Sequence, residues 1–404
     1  MSSLDSLISL QRQWLNDRGT ASEHVRTLLC PYRINPLGAH VDHQGGAVMA
    51  QPIDQYTILS FSPDQHQPDD AMITIQSMQP QWQDTFRWQS SKADKPENQA
   101  NWMRYLQASI EVFNAEYPIK TSLTAAIDGT LISAGLSSSA SVILACINAV
   151  AHANGVDLTP AEQVEMCRQV ENNHMGLANG VQDQMSIVFG RSTGLATLAV
   201  NSVSAEIAES PDNADEVSWV LLFSGYSREL INSGFNTRVE ECQHAASLLQ
   251  TGATRLGDVS AGNATEASID KLPQPYNLRA RHFYSEIARV AKGADLWRMG
   301  DWKAFGELMN ASCHSSINQY QSGSEALVTA HQIACDIDTV YGSRFGGGGY
   351  GGCLIMLADR KHEDSICNAM LASYLSKFPD RKGIAKCFVA RPANGIEYIQ
   401  GQSL

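Results

Sequence analysis

Basic residues are scarce in this chain: 29 Lys and Arg stand against 42 Asp and Glu, a formal net charge of −13. Nucleic acids and anionic membrane surfaces are held by clustered Lys and Arg, so this balance argues against both as general partners. It leaves small anions open, because they respond to local charge. Long apolar runs are missing too; none approaches the roughly 18 to 20 residues that a membrane-spanning helix needs. The opening MSSLDSLISLQRQWL has no cationic stretch ahead of its apolar residues and carries Asp5 early, so a secretory signal is not expected. Leu4, Leu7, Ile8 and Trp14 instead suit one face of a surface helix. The nine cysteines show no Cys-x-x-Cys pair, and an odd count cannot pair completely. Reduced, mostly buried thiols in a cytoplasmic protein are the expectation. Internal repeats and long low-complexity tracts are also absent.

What is present is an ordinary globular composition, 43% hydrophobic and 18% charged, in 404 residues, enough for two or three packed domains. Strand-like runs YTILSFS (56–62), MITIQSM (72–78) and LTAAIDGTL (123–131) alternate with helical segments, which predicts an α+β class. Turn-rich stretches fall at 62–70, 90–99, 204–216 and 251–277. The acidic one before Trp219 marks the expected boundary, giving units 1–213 and 214–404.

Four stretches carry the chemistry. In YRINPLGAHVDHQGG (32–46), Arg33, Asn35, His40, Asp42 and His43 crowd between turn residues, and a mute Ala39 interrupts them. In GTLISAGLSSSASVILACINAVAHANG (129–155), a strand-like run leads to Gly135, three serines and a chargeless apolar segment. That reads as a turn opening onto a buried helix. Its free N–H groups either seat a phosphate or are capped by Ser137 to Ser139. In LTPAEQVEMCRQVENNHMGLANGVQDQMSIVFG (158–190), Thr159, Pro160 and Glu162 mark a helix start. Val164, Cys167 and Glu171 then share one strip, so Glu171 either flanks that strip toward solvent or meets a cation such as Mg²⁺. Asp183 follows two glycines, as an exposed turn acid or a catalytic one. In SRFGGGGYGGCLIML (343–357), six of seven positions from 346 to 352 are glycine. A strand-like run follows them, so a dinucleotide-binding turn is rejected; such a loop lets backbone approach a ligand or another domain closely. Neither a Walker A loop nor the H-R-D and D-F-G set of protein kinases occurs.

Taken together and in this order, the four stretches resemble the galactokinase branch of the GHMP small-molecule kinases, from about residue 28 onward. NWMRYLQ near 101 and FNTRVEECQHAA near 235 resemble that family's intervening landmarks. The resemblance implies two α+β domains with the active site in the cleft between them, ATP as phosphate donor, Mg²⁺ as cofactor, and a protein acting as a monomer. It implies that Gly135, Leu136, Ser137, Ser138, Ser139 and Ala140 wrap the ATP phosphates and that Trp102 and Tyr105 lie near the adenine. Ser139 and Glu171 would hold Mg²⁺. Asp183 would be the catalytic aspartate beside the anomeric hydroxyl, with Gly180 close by and Arg33 its cationic companion. His40 and Asp42 would grip the sugar.

Two departures bear on which sugar. Galactokinases read G-E-H-x-D, where the glutamate accepts a hydrogen bond from the C6 hydroxyl; this chain reads G-A-H-V-D. Ala39 neither accepts that bond nor repels an anion. Two carboxylates facing each other in a partly dry pocket would cost several kcal/mol. The family tyrosine of the sugar pocket is Phe235 here, and D-Y-N-G-G has become D-H-Q-G-G, which brings His43 and Gln44. These features resemble galacturonokinases, and imply transfer of the γ-phosphate of ATP to the 1-position of D-galacturonate. His40, His43 and Gln44 stand as candidates for the carboxylate's partner. Galactose, glucuronate and a non-catalytic sugar and ATP sensor are the competing expectations.

Overall fold

The computed structural model describes residues 4–64, 70–80, 82–91, 101–131, 135–226 and 234–400. Much of the turn-rich stretches 62–70 and 90–99, and Ser133 and Ala134 ahead of the serine loop, lie outside them. The chain opens with α1 (Leu4–Asn16); of the expected face Ile8 is buried and Leu4, Leu7 and Trp14 are half-buried, and Leu15 is buried beside them. Strands β1 (Arg26–Leu37), β2 (Val48–Pro63), β3 (Met72–Ser77) and β4 (Thr85–Gln89) follow, then α2 (Asn101–Glu116) and β5 (Leu123–Gly129). Next come α3 (Ser138–Ala153), α4 (Pro160–Gln169), α5 (Gln182–Phe189), β6 (Gly194–Ala199) and β7 (Ser204–Glu209). The remainder runs β8 (Val217–Phe223), α6 (Phe235–Leu249), α7 (Glu266–Asp270), α8 (Tyr276–Met299), α9 (Trp302–Ser315) and α10 (Glu325–Cys335). It ends with β9 (Val340–Phe345), β10 (Cys353–Asp359), α11 (Glu363–Lys377), β11 (Lys386–Ala390) and β12 (Glu397–Gln400).

Two sheets organise these elements. The first runs β12-β1-β2-β5-β3-β4, with β6 and β7 joined to the far end of β2; β3 and β5 are parallel and the other pairs antiparallel. The second is antiparallel in the order β11-β8-β10-β9. Helix α3 is apolar on nearly every face and lies buried against the first sheet, which is where a chargeless helix has to go. A second apolar cluster joins Tyr32, Ile34 and Met49 of the first sheet to Trp219, Leu221 and Ile355 of the second. Trp219 also donates its indole N–H to Gln51 Oε1 at 2.8 Å, a buried bond between the sheets. These contacts fix the line along which the cleft opens.

Among the described residues no helix is long and apolar enough to cross a membrane.

Candidate active site

The cleft forms where β1, the turn after it, the start of α5 and the glycine-rich loop converge. It is partly open to solvent, and Arg33, Asn35, His40, Asp42, Glu171, Gly180, Asp183 and Phe235 all line it. Of the residues singled out by sequence, eight therefore meet in one place.

Arg33 is the hub. It sits between two register shifts in the β1–β2 pairing, which re-aim the strand. Its backbone N–H donates to Leu136 O at 3.2 Å, and its Nη1 donates to Gly346 O at 2.6 Å. One residue thus ties the strand to both the serine-rich and the glycine-rich loops. The loops themselves are in contact: a Cβ on Gly135, which sits at φ +70°, would lie 3.1 Å from Gly352 Cα. So many glycines are explained by that backbone-to-backbone approach. The remaining donors of Arg33 go to Asp183 Oδ1. Asp183 stands in the first turn of α5, where the helix dipole favours a carboxylate.

Asp42 lies beside this pair. Burial, and then the charge of Asp183, push its carboxyl up to about 6, against the pull of amide bonds from Gln182 and His43 and the charge of Arg33. Gly180 is needed here: a Cβ on it would come within 2.2 Å of Asp42 Oδ2. Beyond Gly38, His40 takes the left-handed conformation at φ 56°, strained for a non-glycine residue. Its ring is held by stacking on Tyr320, with centroids 4.0 Å apart, and by Ser322 Oγ 3.1 Å from its Nε2.

His43 and Gln44 are differently placed from what sequence alone suggests. Gln44 Oε1 accepts from Leu256 N–H at 3.1 Å, so its amide nitrogen faces His43 Nδ1 at 2.9 Å. His43 Nδ1 is therefore the acceptor, and its Nε2–H donates to Tyr320 Oη at 3.1 Å. Burial pushes His43 down to about 3, so it is neutral near pH 7. Neither residue is among those lining the cleft. Ala39 is also buried and off the lining; its N–H and that of Gly38 donate to Glu286 Oε1 at 3.0 and 2.8 Å, and His282 Nε2 donates to its carbonyl at 2.8 Å.

The serine-rich side follows the same logic. Ser137, ahead of α3, adopts φ 64° and ψ 35° and makes no side-chain capping bond; its buried Oγ has no partner among the described residues. The reading of these serines as simple helix caps therefore does not describe Ser137. Ser139 Oγ donates to Glu171 Oε1 at 3.0 Å. Glu171 does not reach solvent: it is 1% exposed, because a π-helical turn over Val170–His174 continues α4 and turns it inward with the strip of Val164 and Cys167. Trp102 and Tyr105, on α2, are half-buried against the core beside α3, and Trp102 Nε1 has no partner among the described residues. Ser138 and Ala140 open α3, Ala140 fully buried. Phe235, at the start of α6, packs with Leu177 and Val239 and meets the His43 ring edge-on at 5.9 Å.

Sequence reasoning passed over Arg344, Asn179 and Gln182, which also line the cleft. A lone arginine in an otherwise uncharged strand, two residues ahead of six glycines, was the available signal for the first. Glu286 and Tyr320, which brace the turn after β1 from α8 and the turn after α9, carry no sequence signal of that kind.

The GHMP kinases N terminal domain model matches residues 104–191, and the GHMP kinases C terminal model matches 288–377. A galacturonokinase from Arabidopsis thaliana is 31% identical over 384 residues, 90% of each chain. A galactokinase from Pyrococcus furiosus is 27% identical over 371 residues, covering 92% of this chain and 98% of that one. In structure, the Lactococcus lactis galactokinase complexed with galactose superposes with a TM-score of 0.86 at 25% identity, over 97% of this chain and 99% of that one. Mevalonate kinase, at 16% identity and a TM-score of 0.62, shares the fold. The chain belongs to the GHMP kinases, in their galactokinase branch, and is a sugar kinase.

Proposed function

We propose that this kinase transfers the γ-phosphate of ATP to the C1 hydroxyl of D-galacturonate, giving galacturonate 1-phosphate and ADP. The observation that carries the reading is Ala39, which puts a methyl group where galactokinases carry a glutamate. A sugar acid then meets no opposing carboxylate from that position. The 31% identity with a galacturonokinase supports the same choice.

In this reading Asp42 and His40 bind the ring hydroxyls, with Gly180 and Phe235 shaping the wall. Asp183 orients the C1 hydroxyl and takes up its proton as the bond to phosphorus forms. Arg33 holds Asp183 in place and offers its charge to the transferring group. Phosphoryl transfer has a loose, charge-rich transition state, so such positioning and charge supply most of the catalysis. The N-terminus of α3 and the loop from Gly135 to Ala140 would receive the phosphates, Ser137 with its unmatched hydroxyl among them. Ser139 and Glu171 fit a hard cation: two oxygen donors, one a buried carboxylate, face each other at that helix end. Among the described residues no cluster of three His, Cys, Asp or Glu could hold a metal alone, so nucleotide oxygens and water would complete the shell. Mg²⁺ would neutralise charge on the phosphates there. Trp102 and Tyr105 would flank the adenine.

Galactose is the second reading, favoured by the 0.86 superposition on a galactokinase. The two separate in one assay. Galacturonate should show the higher kcat/KM in ADP release, and a clear preference for galactose ends the uronate reading. Ala39→Glu should then cut galacturonate turnover sharply; unchanged turnover would sink the charge argument.

A further inference from the structure

The cleft holds one more cation than phosphoryl transfer uses. Arg33 spends its donors on Asp183 and Gly346. Arg344, on β9 just ahead of the glycine loop, lines the same cleft with only 1% of its surface exposed. Its one side-chain hydrogen bond among the described residues runs from Nη1 to Asn35 Oδ1 at 2.8 Å, and its buried Nε has no partner. The carboxylate whose charge it feels, Glu286, is committed elsewhere. Glu286 Oε1 accepts from Gly38, Ala39 and Ser312, and Oε2 accepts from Arg289 at 2.6 Å. The Nε–Nη2 edge of Arg344 is the edge with which a guanidinium grips a carboxylate in a planar two-point contact. A buried cation with that edge unmatched is unfavourable until an anion arrives.

The other candidates for such a contact are weaker. His43 is uncharged near pH 7 and both its ring nitrogens are taken; the Gln44 amide is taken as well. Burial lowers Arg344 to about 10, which still leaves it charged at neutral pH. We propose that Arg344 binds the C6 carboxylate of the sugar acid through its Nε–Nη2 edge. This assignment rests on the uronate reading above. Residue 39 and Arg344 approach the same buried carboxylate, Glu286, one through its amide and the other through charge. In this chain the negative charge missing at residue 39 is brought by the substrate itself.

The test compares kcat/KM for galacturonate and galacturonamide, which keeps the shape and removes the charge, with galactose as reference. The unmodified kinase should prefer acid to amide at least 30-fold. Arg344→Gln should reduce that preference to under threefold, mainly through KM for the acid. Arg344→Lys, which keeps the charge but not the planar edge, should fall between, and with the wild-type ratio it gives a readout if the glutamine variant does not fold. An acid preference that survives in both variants overturns the Arg344 assignment alone. Equal use of acid and amide by the unmodified kinase also overturns it. A wild-type preference for galactose over both removes the uronate reading and the assignment together.

Discussion

Arg33 reaches Asp183 with two donors, Nε at 2.9 Å and Nη2 at 2.7 Å, and both land on the same oxygen, Oδ1. Its third donor is fixed on Gly346 O, so the guanidinium cannot swing without breaking the link between two loops. Asp183→Asn keeps the volume and an acceptor for Arg33 but removes the proposed base. kcat should fall by about 10²- to 10⁴-fold with little change in KM. Arg33→Lys cannot reproduce three bonds in one plane and should lose about a hundredfold in kcat. Steady-state ADP release checks both; a KM effect alone would place Asp183 in binding rather than chemistry.

Asp42 makes a pH-dependent prediction. The folded protein holds its proton more tightly than the unfolded chain does, since burial and Asp183 raise its carboxyl from 3.8 to about 6. That proton-linked stability is full below about pH 4 and lost as pH rises through 6. Asp42→Asn, which mimics the protonated acid, should be more stable than the parent at pH 8 by about 3 kcal/mol and no more stable at pH 4. Thermal melts at the two pH values decide it. The parent's KM for sugar should rise as pH drops below 6, as the acceptor is lost, while the variant's stays flat.

Gly180→Ala tests the packing around the Asp42 turn. The added methyl would sit 2.2 Å from Asp42 Oδ2 and 2.6 Å from His43 N, so backbone must move. Sugar kcat/KM should drop by roughly a hundredfold, at about 1.4 kcal/mol per tenfold, with a fall of a few degrees in Tm. An unaffected KM for ATP would confirm that the damage is confined to the sugar side; a full-rate variant would mean that Asp42 is not held where the cleft requires it.

Glu171→Gln removes one charge from the pair proposed to hold the cation while leaving an oxygen for Ser139. The magnesium concentration for half-maximal rate should rise about tenfold or more, with a smaller loss in kcat at saturating metal. A magnesium titration of both proteins measures this. An unchanged requirement would make Glu171 structural.

Much of the cleft was legible as ordered motifs, because strand, serine loop, acid pair and glycine loop each leave a pattern in the chain. Glu171 was less so. The strip of Val164 and Cys167 set its direction, but burial came from a π turn that helical spacing does not encode. Ser137 looked like a cap, yet its left-handed backbone is set by the loops it touches and not by local propensity. The commitment of His43 and Gln44 to Tyr320 and Leu256 involves residues more than two hundred positions away. Arg344 stood next to a motif and escaped notice because a single arginine in a strand carries no period.

The last strand, β12, leaves the second half of the chain and pairs with Arg26–Leu29 of β1. The two halves are therefore stitched into one sheet and cannot be cut apart cleanly at residue 213. A truncated version ending before Glu397 would bare a row of β1 amides and carbonyls, an invitation to edge-to-edge self-association. Any fragment prepared for ligand studies should keep that closing strand.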